Sequence, residues 1–408
     1  MVPMNSQYKQ RALADAQAHP FDPYHLRPLA SLNRRRLIAL PGLDEGSMGK
    51  SGGELLSDLA LIELIQPHVR ALQLEGTPDG DLPQQLNAVL AGPDGPRRAL
   101  AESIASEHGR LVGYLIASIL LSPHGLTDPM VAWEKAYLEA WRERAQEIVL
   151  GGGRANGRLG ELTRDAAQEV LIRCGQERKL ILADHPSYLP TIGAARSVPP
   201  SSHGAAVVFD FGGTMAKRGI AFFDGSGTLC RLRVLPSLDL GDLTWGEKTA
   251  ELGAAMVAIM AETIYEWMNA IRDVESSITL APAILCSVAA YVEDGEPMHI
   301  DRGAYTWLHH LSPDIRAWFC DRIGEAVGRA VEIEFVHDCD VAACALAGRP
   351  NTAVLMLGSW LGVGFVPPAE RYRPLAERFT LEEGQGVSRD PPGGGRLCGS
   401  ACAGGKRR

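Results

Sequence analysis

The sequence predicts an α/β fold of two lobes, with mixed sheets flanked by helices. Three observations carry this. The chain has 408 residues, more than one average domain holds. Over residues 205–357, short apolar runs alternate with helical patterns, as in an α/β sheet. A Pro, Ser and Gly segment at 197–204 separates that stretch from an earlier, mostly helical region. The expected division is a lobe over 1–196, a linker over 197–204, a second lobe over 205–366 and an irregular tail over 367–408.

The elements follow in order. The first residues, about 35 of them, are mixed in character, as termini commonly are. Leu55, Leu59, Leu61, Ile62, Leu64, Ile65, Val69 and Leu72 fall on one broad face, so 55–74 reads as a helix. Gly, Pro and Asp make 76–82 a loop. A second helix covers 99–121; its apolar run 111–121 is too short to span a bilayer. Asp128-Pro129 opens a third helix, with Trp133, Tyr137, Leu138, Trp141 and Ala145 on one side. A strand at 148–150, a helix at 160–173, a strand at 179–183 and a small-residue segment at 189–196 complete this half. Beyond the linker, strands are expected at 205–210, 219–223 and 229–235, the last two joined by the Asp224-Gly225-Ser226-Gly227 turn. A helix at 245–271, a strand at 283–288, a helix at 313–329 and a strand at 331–336 come next. A short helix at 341–347 and a strand at 352–357 end the pattern. Residues 384–408 are rich in Gly, Arg and Pro without apolar periodicity; they read as disordered, a natural tail or the product of a reading-frame change.

Composition narrows the class. Hydrophobic content of 46% and charged content of 22% are ordinary for a globular protein. A formal net charge of −9 argues against a general nucleic-acid or membrane binder. Eight cysteines are scattered without paired CxxC clusters, and the first residues lack a signal-peptide apolar region, so reduced thiols in a cytoplasmic protein are expected. Gly46-Ser47-Met48-Gly49-Lys50-Ser51 looks like a phosphate-binding P-loop, but Asp44 stands where its first glycine belongs.

Three glycine turns carry the chemistry. Val207-Val208-Phe209-Asp210-Phe211-Gly212-Gly213-Thr214 is a buried-strand pattern ending in an acid, two glycines and a hydroxyl, with Lys217 close behind. The glycines allow a tight turn whose N–H groups can approach a phosphate, and a carboxylate at a strand end can hold hydrated Mg²⁺. A second strand, ending at Leu357, runs into Gly358, Ser359, Gly362 and Gly364. A third, Ile148-Val149-Leu150, runs into Gly151, Gly152 and Gly153. Phe335-Val336-His337-Asp338 is a strand that ends in an acid.

This set resembles the sugar kinase, heat-shock chaperone and actin superfamily, and within it the ROK kinases and repressors. The resemblance implies the two-lobed actin-like ATPase (ribonuclease H-like) fold. It implies that Asp210, Gly212, Gly213, Thr214 and Lys217 form one phosphate motif around ATP and Mg²⁺, with Asp210 facing the metal. Gly358, Ser359, Gly362 and Gly364 would form the second, and Gly151, Gly152 and Gly153 the adenosine motif. Asp338 matches the catalytic base, with His337 in place of the usual Asn. The substrate implied is a small sugar or polyol and the assembly a homodimer. The alternative is an inactive nucleotide- or sugar-binding regulator of the same fold. On the residues alone Asp338 also reads as a helix N-cap, with Asp340 the better cap; His337 reads as structural and Lys217 as a solvated strand residue. Gly295 and Pro297 resemble the family's sugar-side loop.

The chain departs from the family in three ways. No Glu-x-Gly-His sugar motif and no cysteine-rich zinc segment is visible, and Trp360 replaces a glycine of the second phosphate motif. The adenosine motif, with the closing segment Ile192-Gly193-Ala194-Ala195, comes first rather than last. Either the Gly-Gly-Gly match is chance, or the chain is circularly permuted with its join at 197–204, a change that closely spaced termini make cheap.

Overall fold

A computed structural model describes residues 21–122, 131–199, 204–245, 248–272, 279–298 and 304–383. Its strands are β1 (Glu147–Gly151), β2 (Lys179–Leu182), β3 (Ala205–Phe211), β4 (Met215–Phe223), β5 (Leu229–Asp239) and β6 (Ala283–Val288), then β7 (Val292–Glu293), β8 (Glu296–Pro297), β9 (Glu332–His337), β10 (Thr352–Leu357), β11 (Leu361–Phe365) and β12 (Leu375–Glu383). The larger sheet has the order β12-β5-β4-β3-β6-β9 and the smaller β11-β10-β1-β2; β7 and β8 form a separate hairpin.

In the larger sheet β3, β4 and β5 form an antiparallel meander, while β3, β6 and β9 are parallel. Every residue of β3 is buried, because helices cover both faces of a sheet that contains parallel strands. Side-chain alternation assigns the faces. Val207, Phe209 and Phe211 pack with Met256, Met260 and Phe319 from the helices Thr249–Arg272 and Ile315–Val327. Ala206 and Val208 pack on the other side with Ile192, Val341 and Ala342, from the helices Leu189–Ser197 and Asp338–Cys344. Val149 of β1 and Val354 of β10 join that same cluster, so these two short helices lie between the two sheets.

The smaller sheet turns its other face to the helix Pro96–Leu121, Tyr137 and Trp141. Pro96–Leu121 is long and apolar enough to cross a membrane, yet 78% of its apolar window is buried in the protein. Its close partner is the helix Gly157–Arg173. A Cβ on Gly109 would lie 2.6 Å from the Thr163 carbonyl oxygen, and one on Gly113 2.7 Å from that of Ala167. Two glycines one turn apart therefore let the backbones touch.

The sheets share one spatial order. β11-β10-β1-β2 repeats β4-β3-β6-β9, a hairpin followed by two parallel strands. In the larger sheet the hairpin comes first in sequence. In the smaller one it comes last, at 352–365, after the parallel strands at 147–182. This exchanged order is what a circular permutation produces. The hairpin lies within the 205–366 stretch in sequence but pairs with β1, because parallel pairing needs only a crossover, not neighbouring sequence.

Several expectations are corrected. The 55–74 helix is two pieces, Gly52–Leu56 and Asp58–Ile65, because Ser57 caps the second through the Ala60 N–H. The P-loop look-alike, which Asp44 already argues against, is a helix entry, in keeping with that reading: Ser51 and Glu54 form a reciprocal capping box. Part of the expected tail is ordered, since β12 pairs parallel with β5. Residues 384–408 and 200–203 lie outside the described residues.

One core residue predicts acid sensitivity. His108 is fully buried, neither ring nitrogen has a hydrogen-bond partner among the described residues, and burial, aided by the Arg154 charge, depresses its pKa to about 3. Unfolded histidine titrates near pH 6.5 (roughly its model-peptide value), so below that the unfolded chain binds the extra proton. Stability is complete above about pH 6.5 and is lost as pH falls toward the folded value. By pH 5 this group should cost about 2 kcal/mol. Urea unfolding at pH 7 and pH 5 should show that loss in the wild type and a smaller one in His108→Leu.

Candidate functional site

The parallel strands end on one edge, which collects the chemistry. Asp210 in β3 is in register with Ser287 in β6, and Val288 with His337 in β9. Here the β3–β4 turn carries Gly212, Gly213 and Thr214, and Asp338 follows β9. The β10–β11 turn, Gly358-Ser359-Trp360, arrives from the smaller sheet and meets the first. A Cβ on Gly213 would lie 3.8 Å from Ser359 Oγ and 3.2 Å from the Trp245 ring. From β1 the chain enters Gly152, at φ 89°, and Gly153, ahead of the helix Gly157–Arg173. Asn87 accepts a hydrogen bond from the Leu159 N–H at 3.0 Å and so fixes that helix's start. A cavity of about 1300 Å³ joins these parts.

Of the residues expected from sequence, Gly152, Gly153, Asp210, Gly212, Gly213, Thr214, Lys217, Asp338, Gly358, Ser359 and Gly362 line this cavity. Gly151 and Gly364 do not: both are strand residues whose bare backbones admit neighbours. A Cβ on Gly151 would lie 2.6 Å from Leu189, and one on Gly364 would overlap the Cys339 carbonyl. Gly362 serves the same end, since a Cβ there would overlap the Cys339 sulfur.

The electrostatics centre on two acids. Asp210 is 2% exposed; its Oδ2 accepts from Lys217 Nζ at 2.8 Å and its Oδ1 from Ser287 Oγ at 2.9 Å. Lys217 is thus the partner of Asp210 and not a solvated residue. Asp338 is in the first turn of its helix with Asp340, and the N-cap is His337, so neither acid is the cap. Burial raises the Asp338 pKa; His337 and the Cys339 thiol oppose this, and Asp210 adds to it. The Cys339 thiol donates to Asp338 Oδ1 at 3.1 Å. Burial depresses the His337 pKa, but Asp340 and Asp338 outweigh it and the net direction is upward. The His337 ring stacks on Tyr291 at 4.6 Å.

Several residues that shape the site were not singled out from sequence. The Tyr305 hydroxyl donates to the Gly212 carbonyl at 2.7 Å, and Trp245 Nε1 to that of Gly213 at 2.8 Å, holding the first turn. Trp245 was expected inside a helix that begins instead at Thr249; it faces Trp360 across the mouth at 6.3 Å. Buried Arg154 donates to the carbonyls of Leu56 (2.5 Å) and Gly358 and pairs with Asp58, which anchors the second turn. Asn33 pairs with the Leu361 backbone in both directions, at 2.8 and 3.0 Å, and so lays the early segment along β11. The only sequence signal for these was residue type, an amide, an Arg and aromatics able to reach backbone groups.

No family model matches the chain, and no curated protein matches it. Among solved structures, the crystal structure of an exopolyphosphatase-like protein is similar over 65% of this chain and 86% of that chain, at 14% identity and a TM-score of 0.27. The class is defined by the sheets themselves. Three antiparallel strands followed by two parallel ones, the order β5-β4-β3-β6-β9, with a second sheet repeating the central part, make the α/β fold of two mixed sheets flanked by helices that the sequence predicts.

Proposed function

We propose that the chain transfers the γ-phosphoryl group of ATP to a hydroxyl of a sugar or polyol, as ROK-like sugar kinases do. The supporting observation is the meeting of two glycine hairpin turns, one from each sheet, beside Asp210 and Asp338. The residues fit Mg²⁺. This ion keeps most of its waters and needs only one or two carboxylates beside the phosphates, and Asp210 keeps a lone pair on each oxygen after its two bonds. Asp210 would hold the ion, which supplies charge neutralisation on the phosphates when bound.

The chain's own residues do the rest. The Gly212 N–H is already bonded to the Met215 carbonyl at 2.9 Å, which leaves the N–H groups of Gly213 and Thr214 to face phosphate oxygens. Such preorganised donors stabilise the charge that develops in transfer. Asp338 takes the acceptor's proton. The Gly152-Gly153 turn lies against the nucleoside, and approach of the lobes excludes water. A regulator without chemistry is the second reading. It is favoured by the pairing of both Asp210 oxygens and by Trp360 at the second turn.

Calorimetric titration tests the site. Wild-type chain should bind Mg²⁺·ATP. In Asp210→Ala the affinity should fall by at least about tenfold, or about 1.4 kcal/mol, and lose its dependence on Mg²⁺. Absence of binding by folded wild-type protein would sink both readings as nucleotide binders.

A further inference from the structure

We propose that His337, Asp338 and Cys339 form a binding site for one zinc ion, with a further coordination position open to the cavity. Their donor atoms, an imidazole nitrogen, a carboxylate oxygen and a sulfur, all lie within 4.8 Å of one another. His337 Nε2 is 3.4 Å from Asp338 Oδ1, and Cys339 Sγ is 3.1 Å from the same oxygen. Ligands held tetrahedrally at zinc–donor distances of about 2.0–2.3 Å stand roughly 3.3–3.7 Å apart. Two of the three spacings are therefore already close to those of a zinc site. The passage from β9 into a helix turns three consecutive side chains toward one cavity, and all three line it.

A second observation points the same way. The other ring nitrogen of His337, Nδ1, faces Asp340 Oδ2 at 3.4 Å. It is buried and has no hydrogen-bond partner among the described residues. A carboxylate behind the free nitrogen of a ligating histidine is the arrangement that fixes ring orientation and tautomer at zinc sites. The sulfur has its place because residue 362 is glycine, for any Cβ there would overlap it. A nitrogen and sulfur donor set selects zinc over magnesium, which prefers oxygen. On binding, the Cys339 S–H bond breaks, a Zn–S bond forms and the proton passes to water, with no change of oxidation state. An ion held there would occupy Asp338.

The full chain, without nucleotide, is titrated with Co²⁺ as a spectroscopic probe and with Zn²⁺ against a chromophoric chelator. One equivalent of Co²⁺ should give a thiolate-to-cobalt charge-transfer band. Cys339→Ser should abolish that band, and zinc affinity should fall at least 100-fold in Cys339→Ser and in His337→Gln. Asp340→Asn should weaken it by about 10–100-fold. Circular dichroism reports folding, and His337→Gln carries the test if Cys339→Ser fails to fold. Absence of stoichiometric binding, or equal binding by wild type and both ligand variants through other cysteines, overturns the proposal. Because nucleotide is omitted, such a failure leaves the phosphotransfer reading untouched.

Discussion

Asp338→Asn should lower turnover by about 10²–10⁴-fold while leaving affinity for Mg²⁺·ATP unchanged. The amide has the size and shape of the carboxylate, and its oxygen can still accept from the Cys339 thiol, so the helix start is preserved. What it loses is the capacity to take a proton. The pH profile gives a second, independent reading. Asp338 acts as a base only when ionised, and burial raises its pKa above the ordinary carboxylate value. Activity should therefore fall on the acid side at a pH above that value, and the residual activity of Asp338→Asn should lack this limb. Steady-state rates against pH, with calorimetry for ATP, check both. Equal turnover in wild type and variant would remove Asp338 as the base. Turnover in neither, with ATP bound by both, would favour the regulator.

What was legible in the sequence was what depends on local pattern. The run Val207 to Phe211 has no polar residue but Asp210, so a strand buried on both faces was readable, and so was the acid at its end. The Asp224-Gly225-Ser226-Gly227 turn announced the β4–β5 hairpin in the same way. Less legible were features that depend on distant partners. β12 alternates weakly and is rich in charge, as in Glu377, Arg378, Glu382 and Glu383, because it is an edge strand, paired with β5 on one side only. The early start of the Asp338 helix was hidden by Cys339 and Asp340, although acids suit the first turn of a helix. Arg154 follows three glycines, and no local pattern marks it for burial. Only in the folded chain does it meet the Leu56 and Gly358 carbonyls that justify burying its charge. The glycines mislead in the other direction. Gly362 and Gly364 look like phosphate ligands, and in the fold both also give clearance to Cys339.

That clearance has a counterpart on the opposite side of the same helix, and it carries the largest stability effect expected here. A Cβ on Gly193 would overlap the Val341 carbonyl oxygen and approach the Ala345 N–H to 3.1 Å. The helix Asp338–Cys344 is therefore held between two glycine surfaces, Gly193 from the helix Leu189–Ser197 and Gly362 with Gly364 from β11. At an exposed helix position Gly→Ala gains about 1 kcal/mol from propensity. At Gly193 the gain must be set against forcing two packed helices apart. Overpacking of this kind costs about 1–3 kcal/mol and sometimes more. A methyl directed at a backbone oxygen has no rotamer through which to escape, so the upper end applies. Gly193→Ala should lose about 3 kcal/mol in urea unfolding, with an unchanged slope. The displaced helix begins with Asp338, so turnover of the folded fraction should fall as well, while Mg²⁺·ATP affinity, which the proposal assigns to the β3–β4 turn, should change little. An unfolding midpoint equal to or above that of the wild type would mean that the two helices do not cross this closely. The route by which residues 189–197 position the candidate base would then be lost with them.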